Sequence, residues 1–379
     1  MSYSRAPIVC FSSNDWTDIP SSKFHIMRHL GRTHPVLWID TIGLRSPKVS
    51  SRDARRAWGK LKRIFRGTRH VETNVYVWSP PALPFHGVAA ARRFNAWLIP
   101  LMIRRVMRRL GMSDAVIWTY MPNAIDVVER LPKRAVIYHC IDDYGEFTDV
   151  PKAAFEAMEQ RMLRRADLTV VSARKLEELR APYARRTAYV PHGVNLEEFQ
   201  RALEHDAALP DIDGLPRPIA GFVGRIADWI DLDLVARCAR AMPDWSFVFV
   251  GPSIVDLSPY EQVPNMHFLG QKDHTRVPNY IRRFDVALMP FAANEVAASV
   301  NPLKMYEYLA VGVPVVTVPM QEVEDYRQWI TIAEAGAWET AIQAAHDEDS
   351  DERRADRVAS VSQRSWGAIA ETILRELEA

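Results

Sequence analysis

The sequence predicts an α/β protein built from two doubly wound domains. Short apolar runs rich in valine and isoleucine alternate with stretches of helical periodicity along most of the chain, a pattern typical of parallel strands joined by crossover helices. A length of 379 residues suits two domains, and a hydrophobic content of 48% is enough to fill two cores. A stretch rich in proline, aspartate and glycine at residues 207–218 indicates the boundary between them.

These patterns place the first domain at residues 1–195, a linker at 196–217, the second domain at 218–360 and a last helix at 361–379. The first domain is expected to begin with the apolar strand Pro7–Phe11, followed by a polar loop. Because that loop has no G-x-G-x-x-G, a dinucleotide redox cofactor is not expected. Its further strands are expected at Val36–Asp40, Ala115–Thr119, Ala135–Cys140 and Leu168–Ser172, with helices from Ser21 or Ser22, at Asn123–Leu131 and at Lys152–Arg165.

The second domain shows the same alternation. Its strands are expected at Pro218–Gly224, Ser246–Val250, Met266–Leu269 and Asp285–Pro290, with helices from Ile230 and from Pro278. Beyond Gly336 the pattern is helical to the end of the chain.

The stretch Ser299–Val318, SVNPLKMYEYLAVGVPVVTV, carries the most specific signals. Asn301 is a preferred helix N-cap and Pro302 fits the first helical position, so a helix is expected to begin here. Gly312 is expected to end the helix in a left-handed conformation, before a short β-branched strand.

Lys304 lies in the first turn of this helix, where the free N–H groups and the helix dipole already favour an anion. A phosphate held between the helix end and Lys304 explains a lysine at that position. Glu307 follows three residues later on the same face and can accept hydrogen bonds from a ribose diol. This spacing fits a nucleotide sugar, although a solvated ion pair gives the same pattern.

The N-P-L-K turn followed by E-x-x-x-x-G-x-P-V-V resembles the donor-site motif of GT-B nucleotide-sugar glycosyltransferases of group 1, in particular the bacterial exopolysaccharide and cell-wall group that includes xanthan and teichuronic-acid enzymes. The stretch PHGVN before residue 196 resembles the hinge of these enzymes, and SQRSWGAIAETIL resembles their last helix, which returns to the first domain. The resemblance implies two Rossmann-like domains that face each other across a cleft: an acceptor-binding first domain and a second domain that binds a nucleoside diphosphate sugar, here a UDP-sugar.

The resemblance also implies donor-binding residues. They are Gly224, Arg225, Tyr280, Asn301, Pro302, Leu303, Lys304 and Glu307. Arg225 follows a glycine at a strand end, where an arginine can bind phosphate through two parallel hydrogen bonds. Because no D-x-D motif is placed at a strand end, we expect no metal and no other cofactor.

Two positions depart from the family pattern. Many relatives carry a lysine about five residues after the position of Arg225, where this chain has Asp228-Trp229-Ile230. The retaining members carry a glutamate at the position of Ser299, and Glu295 lies four residues too early to replace it. These departures leave open whether transfer inverts or retains the anomeric configuration.

Acidic residues after two strands of the first domain are the candidate catalytic groups. Asp142 and Asp143 follow a predicted strand, and Asp142 matches the catalytic aspartate of the xanthan enzymes. In an inverting reaction such a carboxylate takes the proton of the acceptor hydroxyl. Asp15 is an alternative base, and Trp16 and His25 are candidates on the acceptor side.

Charge is concentrated in one part of the first domain. The segment from Arg45 to Gly111 contains sixteen Lys and Arg but only two acidic residues, so its net charge is +14. Because the whole chain has a net charge of +1, the remaining residues carry −13. In two segments, residues 52–69 and 92–109, these cations alternate with apolar side chains, as in helices that lie in a lipid headgroup layer. The expected membrane-facing residues are Arg55, Arg56, Lys60, Arg63, Arg104, Arg105 and Arg108.

Two core helices with solvated basic edges explain the same segments. Nucleic acid is not an expected partner, because no recognised binding motif accompanies the charge. Three widely spaced cysteines and the absence of a signal peptide or a long apolar run predict a cytoplasmic protein. The two basic segments predict that it is bound peripherally to the inner face of the plasma membrane.

The sequence predicts a glycosyltransferase that acts on a lipid-linked or glycan acceptor. A sugar-nucleotide epimerase of the same architecture and a non-catalytic nucleotide-sugar-binding module are the alternatives.

Overall fold

The computed structural model describes residues 3, 5–18, 20–41, 67–82, 89–143, 152–204, 207–292 and 299–379. The chain divides into two compact units, one made of Met1–Pro191 together with Trp366–Ala379 and the other of His192–Ser365. Each unit is an open, mainly parallel sheet with helices on its faces, which confirms the α/β class.

The first unit contains an eight-stranded sheet. Its strands are β1 (Ile8–Phe11), β2 (Val36–Ile39), β3 (Arg69–Glu72), β4 (Val75–Trp78), β5 (Val116–Thr119), β6 (Ala135–Cys140), β7 (Leu168–Val171) and β8 (Thr187–Tyr189). The spatial order is β3-β4-β2-β1-β5-β6-β7-β8, with β3 antiparallel to β4 and the other pairs parallel. The order reverses direction between β1 and β5, so the loops that follow these strands flank a topological switch point, where ligands of such sheets bind.

The central strands are short and buried on both faces, which is why they read as continuous apolar runs. The helices of this unit before residue 192 are α1 (Ser22–Leu30), α2 (Ala89–Arg109), α3 (Ile125–Val128), α4 (Lys152–Arg165) and α5 (Arg174–Arg180). On one face of the sheet, strand residues such as Val9, Ile117 and Val136 pack against Ile103 and Met162 of the helices.

The second unit contains a six-stranded parallel sheet with the order β11-β10-β9-β12-β13-β14. Its strands are β9 (Ile219–Val223), β10 (Ser246–Val250), β11 (Met266–Phe268), β12 (Val286–Met289), β13 (Val315–Thr317) and β14 (Thr331–Ile332). Its helices are α6 (Leu196–Glu204), α7 (Pro210–Asp213), α8 (Leu232–Ala241), α9 (Val277–Arg282), α10 (Leu303–Val311), α11 (Trp338–Asp347) and α12 (Asp351–Ser360). The switch point of this sheet lies between β9 and β12.

The segment 196–217, predicted as a linker, belongs to the second unit. It contains α6 and α7, and it buries Phe199 and Ile212 in the apolar core beside β9. Burying two large apolar side chains fixes the segment on its unit, whereas a linker would remain solvated.

The last helix, α13 (Trp366–Glu378), belongs to the first unit and packs against α1. Gly367 makes the close contact possible, since a Cβ at that position would lie 2.3 Å from the ring of His29. The ring of His25 is stacked on Trp366 with the two ring centroids 5.9 Å apart.

Three glycines bring the ends of β9, β10 and β11 close together. The N–H of Gly224 donates to the carbonyl of Val250, and that of Gly251 donates to the carbonyl of Gly270, both at 3.0 Å. Gly251 has a φ of +150°, and a Cβ there would lie 1.9 Å from the carbonyl oxygen of Gly224. A side chain at residue 251 would therefore separate two strand ends.

We expect Gly251→Ala to destabilise the second unit by at least about 2 kcal/mol, because the backbone at residue 251 and the adjoining strand ends must both shift. For a unit of this size the change corresponds to a decrease of about 4–8 °C in Tm. The matched control is Gly336→Ala, since no atom lies within 4 Å of a Cβ at that position and its φ is not positive. Thermal denaturation measures both variants, and equal Tm values for the two would contradict the steric argument.

Candidate functional site

Asn301 fixes the turn that precedes α10. The sequence predicts Asn301 as N-cap and Pro302 as the first helical residue, but the helix begins at Leu303 with Pro302 at the cap position. The Asn301 amide, 1% exposed, accepts from the N–H of His192 at 3.1 Å and donates to Glu322 at 2.9 Å. Because a buried amide needs both a donor and an acceptor, these tertiary contacts take the place of the capping bond.

Lys304 and Glu307 form an ion pair in the first two turns of α10. The Lys304 Nζ lies 2.6 Å from Glu307 Oε2, and their side chains are 26% and 8% exposed. The carboxylate is thus nearly buried, unlike the solvated pair that the spacing alone allowed. The pair stands beside the first N–H groups of the helix, which have no partner within the helix and favour an anion.

Two further hydrogen bonds hold α10 in place. The Tyr308 hydroxyl accepts from the N–H of Val223 at 2.9 Å, which ties the helix to the end of β9. Burial raises the pKa of Tyr308 well above its usual value, so this hydroxyl stays neutral. At the other end Gly312 adopts the predicted left-handed conformation, with φ 83°, and its carbonyl accepts from the buried Arg357 at 2.8 Å.

Gly224 and Arg225 follow β9 directly, at the switch point of the second sheet. Arg225 is exposed and makes no hydrogen bond or ion pair with any residue that the structure describes. The bond between Val223 and Tyr308 therefore links the strand that presents one cation, Arg225, to the helix that presents another, Lys304.

Tyr280 lies in the core, although the resemblance implies that it binds the donor. It is 2% exposed, and its hydroxyl donates to the carboxylate of Asp211 at 3.0 Å. Burial raises the pKa of Tyr280 to about 12. Lys272 also contacts Asp211, at 2.6 Å, so Tyr280 supports the loop after β11 through a shared carboxylate.

Sequence reasoning missed a histidine near the ion pair. His274 Nδ1 lies 3.3 Å from Glu198 Oε1, and this hydrogen bond raises the pKa of His274. The charge of Glu307 also raises it and that of Lys304 lowers it, so all four groups share one neighbourhood. Glu198 is 76 residues from His274, so the spacing gave no signal for the pair.

Asp143 of the first unit belongs to a buried ionic network. Arg180 donates to both of its carboxylate oxygens, at 2.7 and 3.2 Å, and also contacts Glu159 at 3.3 Å. The Tyr138 hydroxyl donates to Glu159 at 2.7 Å. These bonds commit Asp143 to structural contacts.

Lys23 is a second residue that sequence reasoning missed. It lies in the first turn of α1, is 5% exposed, and its Nζ donates to Ser13 Oγ at 2.6 Å and to Asn14 Oδ1 at 3.1 Å. Burial lowers the pKa of Lys23, and the charge of Asp142 opposes that decrease. Lys23 is the second residue of its helix, as Lys304 is of α10. This shared position is the sequence signal by which Lys23 could have been found.

The other candidates near α1 have contacts that shape the loop after β1. The N–H of Asp15 donates to the carboxylate of Asp18 at 2.8 Å, and the N–H of Trp16 donates to the buried Asp40 at 3.0 Å. The Trp16 ring packs on Phe24 with centroids 4.5 Å apart. His25, stacked on the last helix, contributes to packing of the unit.

Helix α2 presents an apolar stripe between arginines. The exposed fractions of Phe94, Trp97 and Leu101 are 42%, 62% and 49%. Arg104, Arg105 and Arg108 are exposed on the same helix, and a groove of about 1020 Å³ lies between α2 and the residues around α3. The other predicted membrane-facing residues lie outside the described residues: Arg55, Arg56, Lys60 and Arg63.

Within the described ranges no group of three or more His, Cys, Asp or Glu is placed to hold a metal ion. In the same ranges no helix combines the length and the apolar content that crossing a bilayer requires.

Comparison with known proteins places the candidate donor site in a recognised domain. Residues 217–348 match the family model described as glycosyl transferases group 1. A protein of Bacillus subtilis (strain 168), assigned as the teichuronic acid biosynthesis glycosyltransferase TuaH, is 28% identical over 200 residues, which cover 48% of this chain and 49% of that protein. The chain thus matches about half the length of this curated relative.

Solved structures match the chain along nearly its whole length. Anabaena Alr3699/HepE in complex with UDP and glucose gives a TM-score of 0.62 at 13% identity and covers 99% of this chain and 100% of its own. The trehalose-6-phosphate structure from E. coli bound with UDP-2-fluoro glucose gives a TM-score of 0.68 at 13% identity, and the match covers 98% of this chain and 99% of that one. A UDP-forming α,α-trehalose-phosphate synthase from Burkholderia xenovorans gives a TM-score of 0.69 at 12% identity, and the match covers 99% of this chain and 100% of that one.

At such identities the structural likeness shows the fold, and the sequence matches show what residues 217–348 are similar to. Residues 217–348 are therefore similar to glycosyl transferases group 1, and the chain has the GT-B fold of these solved structures.

Proposed function

We propose that this protein transfers a sugar from a UDP-sugar to a lipid-linked or glycan acceptor in bacterial surface-glycan synthesis. The observation that carries the proposal is the Lys304–Glu307 pair, 2.6 Å apart, at the N-terminus of α10. The group 1 domain match supports sugar transfer, the UDP ligands of the structural neighbours support the nucleotide, and the teichuronic acid relative supports the role.

The donor diphosphate would bind at the first turn of α10. Lys304, Arg225 and the free N–H groups of that turn provide positive charge for it, and Glu307 accepts hydrogen bonds from the ribose hydroxyls. Binding would move the Lys304 ammonium from Glu307 to phosphate, which frees the carboxylate for the ribose. Two cations and a helix N-terminus would stabilise the leaving UDP without a metal ion.

In an inverting reaction Asp142 would act as base. The acceptor hydroxyl gives its proton to the carboxylate while its oxygen bonds to the anomeric carbon, and the bond from that carbon to the diphosphate oxygen breaks. UDP leaves with the electron pair. The neighbouring Asp143 is bound by Arg180, so it is not proposed as the base.

The α2 surface would hold the enzyme at the inner face of the plasma membrane. Phe94, Trp97 and Leu101 can enter the headgroup layer while the arginines of α2 meet anionic lipid phosphates. A lipid-linked acceptor would then be reached within the membrane surface.

Calorimetry with UDP and with pyrophosphate tests the donor site. Lys304→Ala is expected to weaken both ligands by about 10- to 100-fold, the loss of one charge-assisted hydrogen bond. Glu307→Ala is expected to weaken UDP about 10-fold and to leave pyrophosphate unchanged or tighter, because the ammonium loses its competing carboxylate. The matched control is Lys175→Ala, which removes an exposed Lys–Glu pair of the same spacing. Unchanged UDP affinity in both variants would refute this donor site.

Asp142→Asn is expected to lower sugar transfer by about 10²- to 10⁴-fold and to leave UDP affinity unchanged, since it removes the base alone. The assay measures UDP released from a panel of UDP-sugars in the presence of bacterial lipid extract. Full turnover in this variant would exclude Asp142 as base. Conversion of one UDP-sugar into another without UDP release would indicate an epimerase. Binding of the UDP-sugar without turnover would indicate a non-catalytic binding module.

Flotation with phosphatidylglycerol and phosphatidylcholine vesicles tests the membrane surface. We expect the protein to bind the anionic vesicles and salt to weaken that binding. The triple variant Arg104→Gln, Arg105→Gln, Arg108→Gln should bind them about 100-fold more weakly, because each cation near the surface contributes about 1 kcal/mol. Trp97→Ala should also weaken binding. Ile254→Ala is the control for exposed apolar area, because Ile254 is 65% exposed in the second unit. Equal flotation with both lipids would contradict the proposal.

A further inference from the structure

A groove of about 1020 Å³, the α2 groove, lies between α2 and the segment 126–132, which is part of the connection from β5 to β6. The residues of α2 that line it recur every three or four positions, at 92–93, 96–97, 100–101 and 104. This spacing places them in one stripe along the helix, about 18 Å long at about 1.5 Å per residue. Another stripe of α2, which contains Ile99 and Ile103, is buried in the core of the unit. Helix α2 therefore packs in the core with one face and forms a wall of the groove with another.

The middle of the α2 groove is apolar and open to water. Trp97 and Leu101 are 62% and 49% exposed, and Pro100 lies beside them on the same stripe. Leu131 and Pro132 line the groove from the other segment. An apolar chain in the groove would remove these side chains from water, which is favourable in proportion to the apolar area buried. The groove is therefore suited to a ligand that has an apolar chain.

The arginines of the α2 groove form two pairs that differ in their contacts. Arg104 donates to the carbonyl of Arg130, and Arg130 donates to the carbonyl of Asp126 at 2.6 Å. Arg92 and Arg93, at the other end of the stripe, form no hydrogen bond or ion pair with any residue that the structure describes. Their N–H donors are therefore available to a ligand, and a guanidinium group binds phosphate through two parallel hydrogen bonds.

The two carboxylates that line the groove are already paired. Arg161 of α4 donates to Asp126 at 2.8 Å and to Glu129 at 2.7 Å. The groove thus has four arginines and two acids, and a fifth arginine outside it binds both acids. An anion that enters the groove meets a net positive charge, so the groove favours a ligand that is anionic as well as apolar.

Arg92 and Arg93 lie near the edge of the sheet where ligands of such folds bind. Helix α2 connects β4 to β5, two strands of the parallel part of the sheet, so the first turn of α2 lies toward the carboxyl ends of the strands. Arg92 lies in that first turn, where the helix dipole also favours an anion. A phosphate at this end of the groove would therefore lie on the same edge as the loops after β1 and β6.

We propose that the α2 groove binds one molecule of the lipid carrier of the acceptor, with its phosphate on Arg92 and Arg93 and its apolar chain along Trp97, Pro100 and Leu101. The inference rests on the proposed lipid-linked acceptor, because such a carrier combines a phosphate with a long apolar chain. The groove then has a role distinct from that of the α2 surface as a whole: it selects the acceptor lipid, whereas the surface holds the enzyme at the bilayer.

A bilayer and a single lipid in the groove depend on different residues of α2. A bilayer would contact exposed side chains of the helix whether or not they line the groove. Phe94, Arg105 and Arg108 are exposed on α2 but do not line the groove. These three residues therefore provide matched controls on the same helix.

Calorimetry with dodecyl phosphate, kept below its micelle concentration, measures the binding of single lipid molecules. The double variant Arg92→Gln, Arg93→Gln is expected to bind about 10- to 100-fold more weakly, because the phosphate loses charge-assisted hydrogen bonds. The control Arg105→Gln, Arg108→Gln removes the same charge from the same helix and should leave the affinity unchanged. Equal losses in the two double variants would overturn the proposal, as would equal affinity of the unmodified protein for dodecyl phosphate and inorganic phosphate.

Leu101→Glu and Phe94→Glu test where the apolar chain lies. Both residues are exposed on α2, so neither change disturbs the core, but only Leu101 lines the groove. Leu101→Glu is expected to weaken dodecyl phosphate by at least about 10-fold, because the chain would have to desolvate a carboxylate. Phe94→Glu should leave the affinity nearly unchanged, and equal effects of the two changes would contradict the placement of the chain.

Flotation and turnover separate this site from the membrane surface and from the proposed function. Binding to phosphatidylglycerol vesicles should weaken in both double variants, because both remove cations from α2. If the unmodified protein floated with these vesicles but bound no dodecyl phosphate, α2 would be a membrane surface only and the groove proposal would fail. If the unmodified protein released no UDP from any donor, the proposed sugar transfer would fail, whereas the calorimetry would still decide whether the groove binds a lipid phosphate.

Discussion

Three hydrogen bonds fix the position of one helix, α10, in the second unit. Helix α10 is held before its start by the amide of Asn301, in its middle by the bond between Tyr308 and Val223, and at its end by Arg357 on the carbonyl of Gly312. The bonds of Tyr308 and Arg357 are buried, and that of Asn301 is partly buried. Each is worth about 1 kcal/mol, and breaking one leaves an unsatisfied group that costs more. Such fixation at three points keeps the first turn from adjusting its direction, so its N–H groups are already oriented for the diphosphate that we propose binds there.

The two units share an electrostatic motif, a lysine in the first turn of a helix near a switch point. Lys304 is partly exposed and has a carboxylate at 2.6 Å, so a ligand can replace its partner. Lys23 is buried among neutral oxygens and is closed to solvent. The same residue type in the same helical position is thus partly exposed beside a carboxylate in one unit and buried among neutral hydrogen-bond acceptors in the other.

Local chemistry made much of the fold predictable. Runs such as Ile8–Phe11 are buried on both faces and therefore have continuous apolar sequences, and Gly312 ends its helix in the one conformation that favours glycine. Long-range contacts explain what sequence reasoning missed. The partners of Asn301 lie 109 and 21 residues away, and Arg180 lies 37 residues from Asp143, distances that no local pattern encodes. The hairpin β3–β4 was also missed, although Asn74, with φ 56°, is a typical turn residue.

The return of α13 to the first unit has a consequence for biosynthesis. Residues 366–379 complete the layer that covers α1, yet they leave the ribosome after every residue of the second unit. Domains usually fold as units during translation, the N-terminal one first. Here the second unit can finish folding while the first still lacks one of its helices, so the nascent chain carries an uncovered face of α1 until translation ends.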